Sequence, residues 1–246
     1  MRVKLVQMTK NPIDIMWMAA RTCYSEKSPI EMWEDLEEIY QTTKHWNLVK
    51  KVLDSKHESI AEHVYFTFAI EGVSRALLAQ LTRHRLCSFS VMSQRYVEIK
   101  ENINEIQNFR AFPVSKREEA MKTCSKYFIN VNEDNCNGYV EALWEYLNAI
   151  NNGVKPEDAR MFLPNATKTN ITMSCNYREL IHISSLRLCS RSQREIRDLF
   201  ALIKKEIEKA EPRLAEYLVP TCERQNFCTE HNSCGRKPKL EEINKG

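Results

Sequence analysis

Val64, Phe66, Phe68 and Ile70 alternate with Tyr65, Thr67 and Ala69, the sharpest period of two in the chain. That alternation predicts a strand with one face in a core. Gly72 is read as its end, and Ser74 as the N-cap of a helix from Arg75 to about Arg83. A shorter alternation over Val3–Gln7 predicts a first strand. Pro12 opens a helix to about Tyr24, with Ile13, Ile15, Met16 and Ala20 on one face. From Glu31 to Leu53 the period lengthens to that of a helix, through Met32, Trp33, Leu36, Ile39 and Tyr40.

Tyr96–Ile99 reads as a further strand, and residues 101–111 show no period that decides their structure. Lys116–Asn152 is amphipathic and predicts two helices broken near Asn132–Asn135. Pro156 starts a short helix that stops by Pro164. Thr169–Cys175 predicts a strand, Glu179–Cys189 a helix, and Ser192–Tyr217 a last long helix interrupted at Pro212. Few strands among many helices, without βαβ alternation, predict an α+β fold: one domain with a small, mostly antiparallel sheet packed with long helices. The division expected is a main domain over 1–220 and a cysteine-rich tail over 221–246.

The 246 residues suffice for a substantial core, and the net charge of +3 is mild. Proteins that coat nucleic acid usually carry a stronger basic bias. No apolar run approaches the ~20 residues of a membrane span, and the first residues are too charged for a signal peptide. A cytoplasmic protein is expected. Glycine occurs only at 72, 138, 153, 235 and 246, which leaves no place for a phosphate-binding glycine loop. Any nucleotide must be held by side chains. Of the nine cysteines, Cys23, Cys87, Cys124, Cys136, Cys175 and Cys189 are scattered singly and are expected to be reduced.

The chemistry concentrates in Arg83-His84-Arg85-Leu86-Cys87-Ser88-Phe89-Ser90-Val91-Met92-Ser93-Gln94-Arg95-Tyr96. Guanidinium groups match phosphate and carboxylate oxygens two at a time, and hydroxyls add short-range donors. A solvated basic loop is the simpler reading of any Arg-x-Arg, but such a loop has no use for Leu86, Phe89, Val91 and Met92. The stretch therefore reads as a pocket wall for a multiply anionic ligand. Gln80 and Arg83 share a helix face leading into it. Arg160 stands among apolar neighbours at a helix end, and Arg178 and His182 are one helical turn apart with Asn176 just before them. His57-Glu58-Ser59-Ile60-Ala61-Glu62-His63 invites a metal, but its histidine spacing is not that of a metallohydrolase helix, and capping or hydrogen bonding is the plainer reading.

The same residues closely resemble the signature of the flavin-dependent thymidylate synthases, Arg-His-Arg, seven residues, then Ser, with Arg-Tyr shortly after. Ser90 and Val91 depart from it: the family often has Asn at the first and Glu or Gln at the second, so only backbone contacts carry over there. The resemblance extends to the His-Glu run at His57, to Ala159-Arg160 with Leu163-Pro164, and to Asn176-x-Arg178-Glu179-Leu180. It implies conversion of dUMP to dTMP, with methylenetetrahydrofolate as one-carbon donor and FAD, reduced by NADPH, as hydride source. It implies flavin contacts from His57, Ser59, Arg83, His84, Arg85, Ser90, Asn176, Arg178 and His182. It implies substrate contacts from Gln80, Arg83, Ser93, Gln94, Arg95, Arg160 and Arg187. Arg187, His57 and Ser93 are the catalytic candidates, with Arg187 over the pyrimidine. Homotetramers with shared active sites are implied, and no nucleic-acid or membrane partner.

No cysteine has the Pro-Cys-His setting of folate-only synthases, and nothing in sequence places a general base for Ser93. The rival reading is a basic-loop nucleic-acid-binding protein that stacks bases on Tyr96. Ser192 and Glu195 form the pattern of a capping box. No metal is assigned to the active site. In the tail, Cys222, Cys228, His231 and Cys234 are soft or borderline ligands that fit either zinc or a disulfide, and their spacing leaves both open.

Overall fold

The computed structural model describes residues 1–38 and 42–243. The elements run β1 (Arg2–Met8), α1 (Pro12–Thr22), α2 (Pro29–Glu38) and α3 (Thr42–Asp54), then a 3₁₀ turn (Glu58–His63). Next come β2 (Tyr65–Ser74), α4 (Arg75–Leu81), β3 (Cys87–Val91), α5 (Ile103–Ala111), α6 (Arg117–Tyr127) and α7 (Cys136–Asn151). α8 (Pro156–Ala159) and a second 3₁₀ turn (Arg160–Phe162) lead to β4 (Lys168–Asn176) and α9 (Tyr177–Arg187). The chain continues through α10 (Arg194–Ala210), α11 (Pro212–Ala215), α12 (Thr221–Gln225) and α13 (Leu240–Ile243).

Among the described residues the strands form one antiparallel sheet in the order β1-β2-β4-β3, and the fold is α+β as expected. β2 keeps its alternation, with Phe66, Phe68 and Ile70 buried and Tyr65 and Glu71 exposed. Gly72 does not end this strand. It takes a φ of +69°, a bend open to glycine at little cost, and β2 runs on to Ser74.

Other boundaries also differ from expectation. Tyr96–Ile99 is not a strand; Cys87–Val91 is, its alternation obscured by two serines on the exposed face. The undecided stretch 101–111 holds α5, which Asn102 caps by accepting a hydrogen bond from the Asn104 N–H. α9 begins at Tyr177 because Asn176 caps it, accepting from the Glu179 N–H at 2.8 Å. α10 is capped by Gln193, whose side-chain oxygen accepts from the Ile196 N–H at 3.1 Å. Ser192 instead donates to the Leu186 carbonyl, so the N-cap is Gln193 and not Ser192 as expected. The helical expectation for Glu31–Leu53 holds in α2 and α3, while Ile39 and Tyr40 lie outside the described residues.

The chain divides into two compact units. The first comprises residues 1–2, 70–83 and 90–171. Its core is helical: Ile106 and Phe109 of α5, Cys124 of α6 and Leu143 and Tyr146 of α7 are buried together with Phe128. Phe128 stacks on Tyr139 with centroids 4.8 Å apart. The second comprises residues 3–69, 84–89 and 172 onward. There α10 buries Ile196, Leu199, Phe200, Ile203 and Ile207, a single stripe at helical spacing. Tyr177 is fully buried, edge-on to Phe66, and its hydroxyl donates to the Leu214 carbonyl at 2.7 Å. Pro212, at the first turn of α11, separates it from α10 as its fixed φ and missing N–H require.

Candidate functional site

In the first unit the sequence after Ser74 builds an arginine cluster. The Ser74 hydroxyl accepts from the Leu77 N–H at 2.9 Å and so starts α4, placing Arg75 in its first turn and Gln80, half-buried, in its last. Arg75 Nη2 donates to the Met92 carbonyl at 2.7 Å, tying α4 to the segment that carries Ser93, Gln94 and Arg95. Arg75 Nε is buried without a hydrogen-bond partner among the described residues. Burial, and after it the charge of Arg160, lowers the Arg75 pKa from its ordinary value, but a guanidinium stays charged.

Two acceptors on Glu157 gather the remaining arginines. Arg95 Nε meets the Glu157 carboxylate at 2.7 Å, and Arg160 Nε donates to the Glu157 carbonyl at 2.9 Å. Half-buried Ser93 accepts from the Arg95 N–H at 3.1 Å. The Arg95–Glu157 pair is largely open to solvent and is worth about 1 kcal/mol or less, so a doubly charged phosphate can recruit Arg95 from it. Gln94 lines a cavity of about 410 Å³ in this unit, beside Met92, Tyr127, Tyr146 and Lys168. Glu157 thus holds Arg95 and Arg160 from one residue, and Ser93 is joined to Arg95. Arg83 and Ser90 are exposed.

The second unit holds a different arrangement. His84 is buried, and its Nε2 accepts a hydrogen bond from Arg187 Nε at 3.0 Å. Burial, then the charges of Arg187 and His182, depress the His84 pKa to about 4, so the ring is neutral at physiological pH. Its Nδ1 lies 3.9 Å from Glu179, too long for a hydrogen bond and, with a neutral ring, not an ion pair. Burial raises the Glu179 carboxyl above its usual value, partly opposed by His182. Arg187 therefore leans on a neutral acceptor, and His84 does not cancel its charge.

Along the same helix, Arg178 pairs with Glu62 of the 3₁₀ turn, and Asn176 spends its side-chain oxygen on the cap. His57 stands at the start of that turn, with Ser59 within it, both exposed. Arg85 and His182 are also exposed. This donor set fits an extended, doubly phosphorylated cofactor: exposed guanidiniums for phosphate, and an amide, hydroxyls and imidazoles for a polar ring edge. His57 and His63 belong to no cluster of three or more metal ligands among the described residues.

Sequence reasoning missed Arg75, although an arginine directly after a helix-capping serine was a legible signal. It also missed that His84 serves Arg187 as an acceptor, a pairing across 103 positions that spacing does not reveal.

The family described as "Thymidylate synthase complementing protein" matches residues 4–213. The flavin-dependent thymidylate synthase of Clostridium tetani is 34% identical over 249 residues, covering 98% of this chain and 96% of that protein. That of Pyrococcus furiosus is 35% identical over 236 residues, covering 94% and 90%. A crystal structure of the Helicobacter pylori flavin-dependent thymidylate synthase, complexed with FAD and dUMP, superposes with a TM-score of 0.70 at 27% identity. It covers 89% of this chain and 100% of that one.

Proposed function

The chain belongs to the flavin-dependent thymidylate synthases, and on that premise we propose how its residues divide the work. It is an FAD-dependent enzyme of the methyltransferase type that converts dUMP to dTMP, with methylenetetrahydrofolate and NADPH as co-substrates. Nothing in the comparisons supports the basic-loop nucleic-acid reading. Bound FAD supplies hydride chemistry that no side chain can perform.

Arg187 is the catalytic cation. Methylation at C5 requires the pyrimidine to carry negative charge as C5 becomes nucleophilic, and a preorganised cation in a half-buried site stabilises that charge. The observation that carries the reading is the 3.0 Å contact between Arg187 and neutral His84. A carboxylate there would fix the guanidinium equally well but neutralise it. Ser93, Gln94, Arg95, Arg160 and Gln80 take the substrate phosphate and ring, with Arg83 reaching the substrate as well. Ser93 acts as a donor, and nothing asks it to be a nucleophile. His57, Ser59, Arg83, His84, Arg85, Ser90, Asn176, Arg178 and His182 hold the flavin, His57 beside the reacting face and Ser90 through its backbone.

The exposed Arg83, Arg85, Ser59 and Ser90 favour a site completed by neighbouring chains in a homotetramer. Sedimentation should then return four times the 28.9 kDa chain mass; a monomer that turns over would sink this part. The synthase occupies residues 1–220, with 221–246 an appended tail. It works in the cytoplasm without a nucleic-acid partner, a reading supported by nine free thiols and a mild net charge. Among the described residues no helix is long and apolar enough to cross a membrane.

The test is Arg187→Ala. It should retain FAD while dTMP formation drops by roughly a hundredfold or more, the scale of losing one transition-state charge stabiliser. Unchanged turnover would remove Arg187 from the mechanism.

A further inference from the structure

Four cysteine thiols surround one small cavity in the second unit. Cys189 comes from just beyond the end of α9, Cys222 from the first turn of α12, and Cys228 and Cys234 from the segment that follows. All four are free. The three tail cysteines recur with five residues between each, but the fourth wall is Cys189, far upstream. His231, the histidine within the tail spacing, is not on the cavity. Its ring turns to the Asn232 side chain at 3.2 Å.

Thiols at such density are a costly way to line a cavity unless something soft fills it, because sulfur packs no better than a methyl group and oxidises readily. The local backbone is shaped around sulfur. Gly235 adopts a φ of +80°, turning the chain back so that the Arg236 N–H reaches the Cys234 sulfur, which the Ser190 hydroxyl also contacts. N–H and O–H donors of this kind offset the charge of a thiolate. Cys228 is pinned from behind, its own N–H donating to the Pro238 carbonyl at 2.7 Å. An ion of charge +2 held by four thiolates leaves a net charge of −2. Arg191 on the cavity wall, and Arg236 within electrostatic reach of both Cys222 and Cys234, bring positive charge to it, against Glu230 on the same wall and Glu223, which pairs with Arg236 at 3.2 Å.

We propose that Cys189, Cys222, Cys228 and Cys234 form a structural site for a thiophilic divalent ion of the zinc class, clasping the tail to the end of the helix that presents Arg187. Among the described residues no three of these side chains lie in ligating range as they stand, so taking up the ion requires them to draw together. Exposed Cys234, in a segment outside helices and strands, is the ligand with room to move inward. Four thiolates and no water leave no open position, so the role is structural and not catalytic.

The full chain, purified under reducing conditions, should contain one zinc per chain by elemental analysis. After removal with a chelator, titration with Co²⁺ should give intense thiolate-to-cobalt charge-transfer absorption saturating at one ion per chain. Cys189→Ser and Cys222→Ser should abolish that band, and His231→Ala should leave it unchanged. Cys234→Ser, at an exposed position where folding is not at stake, should also lose it while keeping the native circular dichroism spectrum. A chain that takes up neither ion overturns the proposal. So does a cobalt band that survives Cys189→Ser, or one that disappears in His231→Ala.

Discussion

At the scale of single residues, His84 decides how Arg187 behaves. Its ordinary pKa of 6.5 falls to about 4 in the fold, with burial the larger cause and Arg187 the next. The unfolded chain therefore binds a proton between those values that the folded chain refuses. Stability from this group is intact at pH 7 and is lost as pH falls from 6.5 through 4, at a cost of roughly 3 kcal/mol for so buried a ring. The His84 ring, followed by NMR, should titrate near 4, and Arg187→Gln should move the midpoint upward but short of 6.5, since burial remains. A midpoint already near 6.5 in the unaltered protein would contradict the neutral-acceptor account. The types of these residues were legible in sequence, because guanidinium and imidazole groups in one short stretch have few bland uses. Their pairing was not, since the contact between Arg187 and His84 exists only once α9 has folded.

At the scale of elements, β2 and α4 show what periodicity can and cannot say. The alternation through Phe66, Phe68 and Ile70 survives intact because one face is buried and a slip of one residue would expose all three. Gly72 reads in sequence as a stop, yet it serves as a bend within β2. β3 is hard to read for a related reason. Its exposed positions are serines that read as ligand donors, and its five residues are too few for a period to stand out. Ser74 links the two elements, being wholly buried at the cap of α4. Ser74→Ala should cost about 1 kcal/mol of stability, measured by denaturant unfolding. It should also weaken dUMP binding more than FAD binding, because α4 carries Arg75 and Gln80. Equal losses for both ligands would show that α4 does not serve the phosphate specifically.

At the scale of the whole molecule, the α+β class and the enzyme family could be read from the chain, since the first rests on periodic burial and the second on a dense motif. What escaped were particular contacts between distant segments: Arg75 reaching Met92, Glu157 serving both Arg95 and Arg160, and Cys189 joining the tail thiols. Tertiary contacts of this kind leave no trace in local spacing. They nonetheless carry the functional argument, in which Arg187 rests on a neutral acceptor and Arg95 sits in a solvent-open pair with Glu157 that a phosphate can break. The most direct measurement is the visible absorption of the purified chain during titration with dUMP. The account predicts a yellow protein whose flavin spectrum shifts saturably with dUMP, and an Arg95→Ala variant that stays yellow but needs far more dUMP to shift. A chain that neither carries nor takes up FAD, or a flavin spectrum indifferent to dUMP, would contradict it.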